Sequence, residues 1–202
     1  MDISEKLDSA AEMVACIDTS VAYIQAHADP FTKKRATELH GEGPILDRFE
    51  RDGEEYAEQF FGNFGTTLQL CYDLASRDEN VPEELYYAVS QFGEQAANIN
   101  PQDIYSLLER GVEKFPESVL LNYAIAQQSF LQLQKARRSA SWEKALELSK
   151  TATQHAQKVK SLNPSYKTDL IGNIIKMSLG FGTEASMRLG KDPIDLIRSL
   201  RS

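Results

Sequence analysis

The chain has 202 residues, 42% of them hydrophobic and 26% charged, with seven prolines and eleven glycines; this excludes a disordered or low-complexity chain and leaves room for one large or two small domains with a buried core. Its formal net charge of −8 is unevenly spread, with 24 acids against 9 bases in residues 1–118 and 6 acids against 13 bases in residues 119–202. Acid dominance argues against general nucleic-acid affinity, and no apolar run approaches the roughly 20 residues needed to cross a bilayer.

Residues 2–28 read as one long helix. Ile3, Leu7, Ala10, Val14, Ile17, Val21 and Ile24 recur at helical steps, close to a coiled-coil seam. The opening residues carry acids where a signal peptide needs bases, which predicts a cytoplasmic protein. Cys16 and Cys71 lie inside apolar helical patterns without metal-ligand spacing, as buried reduced thiols do. Asp29-Pro30 supplies an N-cap and a first-turn proline for a short basic helix over Phe31–His40.

A third helix is predicted from Pro44 to about Phe61, with Ile45, Phe49, Gly53, Tyr56 and Phe60 on one side and Glu50, Asp52, Glu54, Glu55 and Glu58 on the other. Gly53 inside that helix would be explained by a close neighbour. Gly62-Asn63-Phe64-Gly65 reads as a cap and turn before a fourth helix through Leu68, Cys71, Tyr72 and Ala75. Asp78-Glu79-Asn80-Val81-Pro82 is the best domain boundary, making residues 1–77 a helical bundle.

Helices are then expected over Pro82–Ala97, Asp103–Lys114, Ser118–Leu133 and Trp142–Leu162, the middle pair of turns closing at Pro116 and Pro164. Lys135-Ala136-Arg137-Arg138-Ser139 reads as a basic connection. Tyr166–Leu179 follows, ending at Gly180-Phe181-Gly182, then a short segment near Thr183–Leu189. Asp192-Pro193 starts a last helix suited to cap a stack. No strand-period run appears, so the fold class is all-α.

Four stretches resemble tetratricopeptide-like (TPR-like) repeats, tandem helical hairpins of about 34 residues. Glu109-Arg110-Gly111-Val112-Glu113-Lys114-Phe115-Pro116 and Leu162-Asn163-Pro164 fit repeat ends, Asn122-Tyr123-Ala124-Ile125-Ala126 an outgoing helix, and Trp142-Glu143-Lys144-Ala145-Leu146 the start of a returning one. The resemblance covers residues 82–179. Pro116 and Pro164 stand 48 positions apart, longer than the standard unit. The resemblance implies that residues 82–202 form hairpins with a capping C-terminal helix and a groove that binds a peptide or partner helix. Asn122, Tyr123, Gln127, Lys167 and Asn173 would then reach the groove. The carboxylate clamp of one TPR subclass is not carried over, because Glu83–Ala97 has no lysine or arginine.

Chemistry has little footing. His27, His40 and His155 have no metal-ligand spacing, and Glu54, Glu55 and Glu58 lack histidine partners at helical spacing. The Gly182 and Gly190-Lys191 region fails the phosphate-loop pattern at Ala185 and Asp192. No cofactor or metal is therefore expected. Arg137 and Arg138, with the lysines of the following helix, make a basic patch for an acidic partner. The expectation is a non-catalytic adaptor that binds a protein or peptide, acidic in character. The alternatives are a homo-oligomer assembling through the seam of residues 3–24, and a helical enzyme with an unrecognised site.

Overall fold

The computed structural model describes residues 3–77 and 80–200, with side chains from residue 11 onward. The fold is all-α: nine α-helices and one 3-10 turn, with no strand among the described residues. The chain divides into two compact units, Met1–Gly111 and Val112–Ser202. Asp78 and Glu79, at the start of the expected boundary, lie outside the described residues. The rest of that boundary falls within the first unit, because the helix after it packs on the helices before it.

The first unit holds α1 (Ile3–His27), α2 (Pro30–His40), α3 (Ile45–Arg77), α4 (Glu83–Phe92), the 3-10 turn Gly93–Gln95 and most of α5 (Pro101–Lys114). Asp29 caps α2 as its sequence predicts, its Oδ1 accepting from the Phe31 and Thr32 amides. Ile17, Val21 and Ile24 of the α1 seam are buried within this unit against α3 and α4. The seam positions Ile3, Leu7 and Ala10 lie outside the residues whose side chains are described.

α3 departs from expectation at two places. Gly62-Asn63-Phe64-Gly65 is not a turn; the helix runs through it, because Phe60, Phe64 and Leu68 form one buried stripe that a break would disrupt. The interruption falls instead at Gly53, whose φ of 53° and ψ of −124° are open only to glycine. A Cβ there would meet nothing within 4 Å, so backbone conformation accounts for this glycine and a close neighbour does not. Phe49 packs edge-on against Tyr56 and Phe60 across the kink, at 5.1 and 5.2 Å.

The second unit packs α6 (Val119–Arg138), α7 (Trp142–Leu162) and α8 (Thr168–Arg188) side by side, with α9 (Pro193–Ser199) against α8. Lys135-Ala136-Arg137-Arg138 is the last turn of α6 rather than a connection, since three bases suit the negative end of a helix. α8 likewise continues through Gly180-Phe181-Gly182. Phe181 stacks on Phe130 at 6.3 Å, and Gly182 sits so close to α7 that a Cβ would strike Ser149. Tertiary packing holds this stretch helical against glycine's weak propensity. The helix stops at Gly190, whose φ of 65° provides the left-handed residue, with Lys191 N donating to Ser186 O at 2.9 Å.

Candidate functional site

The expected partner-contact residues do not form one surface. Asn122 is buried, and its amide is spent inside the fold. Nδ2 donates to the carbonyls of Pro116 and Ser118 at 2.9 and 2.7 Å, while Oδ1 lies 2.8 Å from His155 Nδ1. An Asn122 carbonyl opposite Nδ1 calls for a proton on that nitrogen. Burial pushes the pKa of His155 below its ordinary value. This pair ties the loop before α6 to α7 and so positions the helices. It does not present Asn122 to a ligand.

Tyr123 is also buried, packing edge-on against Tyr166 at 5.6 Å. Lys167 is the residue before α8 and adopts a left-handed conformation, φ 44° and ψ 43°. Its ammonium sits 4.4 Å from the centre of the Tyr123 ring and 5.0 Å from that of Tyr166, a cation held on two ring faces. Gln127 is half-buried one turn along α6. Arg137 fastens α6 to α8: Nε donates to Glu184 Oε2 at 2.6 Å while the guanidinium covers the Phe181 ring at 4.6 Å. Arg138 beside it is exposed. Reversing the charge of Arg137 would therefore break a fold contact as well as alter the surface.

Asn173 belongs to a real concavity. A cavity of about 370 Å³ opens where the end of α7 meets the first half of α8, and Lys160, Tyr166, Ile171, Gly172, Asn173 and Lys176 contribute to its wall. Ile171 gives it a buried apolar floor, and Lys160 and Lys176 stand exposed at its rim. Neither lysine makes an ion pair with a described residue, although Lys158 and Arg137 in the same unit do. Asp169 is the one acid in the wall.

Three further exposed positions lie on α8, Leu170 and Met177 in one row and Gly172 in another, with Lys176. Leu170 and Met177, one seven-residue step apart, are 39% and 43% exposed. Gly172 lies in the helix interior with nothing within 4 Å of where its Cβ would be. An alanine there would fit the fold and favour the helix by about 1 kcal/mol. No described residue asks for a glycine at that point.

Gly172 and Lys176 escaped the sequence reading, and Lys160 entered it only as one lysine of the basic patch. Lys160 is three residues before Asn163, and only the turn of the chain brings it beside Lys176. The signal that would have found Gly172 and Lys176 is the row Asp169, Gly172, Asn173 and Lys176, outside the buried face of Ile171, Ile174 and Ser178.

The first unit offers a different environment. His40 is fully buried, with Nε2 2.6 Å from Thr67 Oγ1 and Nδ1 3.4 Å from the Tyr56 hydroxyl. Thr67 Oγ1 donates to Asn63 O at 3.1 Å, so it receives the Nε2 proton and the imidazole is neutral. Burial first, and the Arg48 charge second, push the His40 pKa down to about 4. Cys16 and Cys71 are buried and not joined in a disulfide, and burial pushes the Cys71 thiol up to about 12. No group of three or more His, Cys, Asp or Glu side chains able to hold a metal occurs among the described residues. No helix among them is long and apolar enough to cross a membrane.

Comparison with known proteins gives no match: no family model fits the chain, and no curated protein or solved structure is detectably similar. The functional reading therefore rests on the geometry of the second unit.

Proposed function

We propose that this protein is a non-catalytic interaction module that holds an acidic peptide or helix along the outward side of α8, in a groove between TPR-like hairpins. The observation that carries the reading is the cavity at the junction of α7 and α8, with two lysines at its rim that pair with no described acid and exposed Leu170 and Met177 nearby on α8. A partner would bury apolar side chains against Leu170, Met177 and the Ile171 floor. Lys160 and Lys176 would meet its carboxylates, set its direction and quicken its arrival. The TPR-like reading draws support from the successive packing of α6 on α7 and α7 on α8, and from buried Ala145 at the expected small position. A cytoplasmic setting is supported by the two buried cysteines, which are not joined in a disulfide.

The test is fluorescence anisotropy with two labelled amphipathic peptides of one design, bearing leucines on one face and either glutamates or lysines on the other. The glutamate peptide is expected to bind and the lysine peptide to fail. Lys160→Ala with Lys176→Ala should weaken binding about tenfold, the sum expected of two charge contacts. Equal binding of both peptides, or of neither, would sink the reading.

A further inference from the structure

The two units carry opposite charge, and each displays an exposed helix face whose charges form no ion pair with a described residue. Met1–Gly111 holds 22 acids and 8 bases, whereas Val112–Ser202 holds 8 acids and 14 bases. In the first unit Glu54, Glu55 and Glu58 follow directly on the Gly53 kink. Glu54, Glu58 and Phe61 follow one another at steps of four and three, which places them on one side of α3. Both glutamates are exposed and form no ion pair with a described residue, and Phe61 is 61% exposed. The opposite side of the same turns, Tyr56, Phe60 and Phe64, fills the core. α3 is thus apolar within and, on its outer side, acidic with one aromatic ring in the open.

This outer side of α3 has the chemistry that the α8 face lacks. Lys160 and Lys176 need carboxylates at helical spacing, and Glu54 and Glu58 supply two, about 6 Å apart. Leu170 and Met177 need an apolar side chain, and Phe61 supplies one. Gly172, in the row of Lys176 and with no described atom within 4 Å of where its Cβ would be, lets a second helix approach closely there.

We infer that the α8 face of one copy receives the α3 segment around Glu54, Glu58 and Phe61 of a second copy, so that copies associate head to tail. The inference rests on α8 being a docking surface, as argued above, and adds the identity of an occupant. Because the two surfaces differ, each copy offers one of each. The contact is heterologous and propagates until it closes into a ring or continues as a filament. Its charge pairs are exposed to solvent, so association weakens with salt.

Sedimentation velocity of the full chain over a range of concentrations tests this. At low salt the sedimentation coefficient should rise with concentration, and association should weaken about tenfold between roughly 0.05 and 0.3 M sodium chloride. Lys160→Glu with Lys176→Glu should give a monomer, as should Glu54→Lys with Glu58→Lys. All four positions are exposed, and circular dichroism would verify that both variants keep their helicity. Mixing the two reversed proteins should restore association, because each then matches the other at both surfaces. Gly172→Ala should raise the melting temperature by about 2–4 °C while weakening association.

A wild-type chain that stays monomeric throughout overturns the inference. So does association that survives either reversal, or a mixture that fails to associate. A labelled peptide of residues 52–66 separates this failure from that of the docking reading. Peptide binding to a chain that does not self-associate would leave the α8 groove standing and remove the second copy as its occupant. If neither the peptide nor the glutamate peptide described above binds, both readings fall.

Discussion

The two units solve helix packing with different materials. The first is filled by bulky rings: Tyr56, Phe60 and Phe64 of α3 are buried, and a neutral histidine lies among them. The second brings its helices together through small residues. Ala145, Ser149, Ala152 and Ala156 line one side of α7, and Gly182, Ala185 and Ser178 are buried on α8. Ser149 Oγ donates across this seam to Ser178 O at 2.7 Å. Packed rings keep backbones apart and enclose polar side chains that must then be satisfied, whereas small residues bring backbones near enough for one methyl group to collide. His40 therefore makes the first unit vulnerable to a proton and Gly182 the second to added volume, a sensitivity the first unit shares at Gly65, where a Cβ would lie 2.7 Å from Gln95 O.

The largest expected effect is the proton. Folded His40 has its pKa pushed down to about 4, below the ordinary value of 6.5, so the unfolded chain takes up a proton that the folded chain refuses. The stability that comes with the neutral ring is complete above pH 6.5 and is lost as pH falls from 6.5 towards 4. The loss amounts to roughly 3 kcal/mol by the lower limit. His155 is shifted in the same direction and adds to the trend, which makes the comparison with a variant necessary. His40→Gln keeps an amide donor for Thr67 and should flatten the dependence of urea-unfolding free energy on pH. A variant with the wild-type slope would show that His40 is not the group responsible.

The second effect sharpens the contrast from the other side. Gly182→Ala places a Cβ against Ser149 Oγ and 2.7 Å from Leu196 Cδ2. The alanine must push α8 from α7 or displace the serine from its hydrogen bond, and about 2 kcal/mol of stability should go with it. The companion change Gly172→Ala, on the same helix but facing open space, should act with the opposite sign. Similar losses at both positions in thermal unfolding would mean that the seam is no tighter than the outer side.

This difference between Gly172 and Gly182 also marks the limit of what the residues alone convey. Periodicity placed Ile17, Val21 and Ile24 of α1 and Ile45, Tyr56 and Phe60 of α3 on buried faces, because burial on one side of a helix leaves a repeat in the sequence. The Asp29 and Asp192 caps were equally legible, being local chemistry between near neighbours. Glycines were not. Gly53 breaks a helix, Gly62 and Gly65 continue one, Gly182 is a contact and Gly190 a terminator, yet all five are the same letter. Their meanings depend on φ and on neighbours distant in the chain. The site was legible only in part for the same reason. Asn173 was found by position, but Asn122 and Tyr123 turned inward to hold His155 and Tyr166, and Lys160 meets Lys176 only through the fold.

The smallest expected effect tests whether the second unit is close-packed up to the turn that joins its first two helices. Ala140 ends α6 with φ of 53°, a conformation that places its Cβ too near the following carbonyl. The turn is held regardless, by Ser141 N donating to Ala136 O at 2.9 Å and by Ala140 N donating to Arg137 O at 3.2 Å. Ala140 is exposed, so its methyl contributes little packing. Ala140→Gly removes the steric penalty of about 1 kcal/mol and returns part of the gain as extra freedom in the unfolded chain. A net stabilisation of about 0.5 kcal/mol should follow, read as a higher midpoint in urea with an unchanged slope. A lower midpoint would mean that the Ala140 methyl takes part in packing after all, and the small-residue seam would then extend past Ala145 into the turn itself.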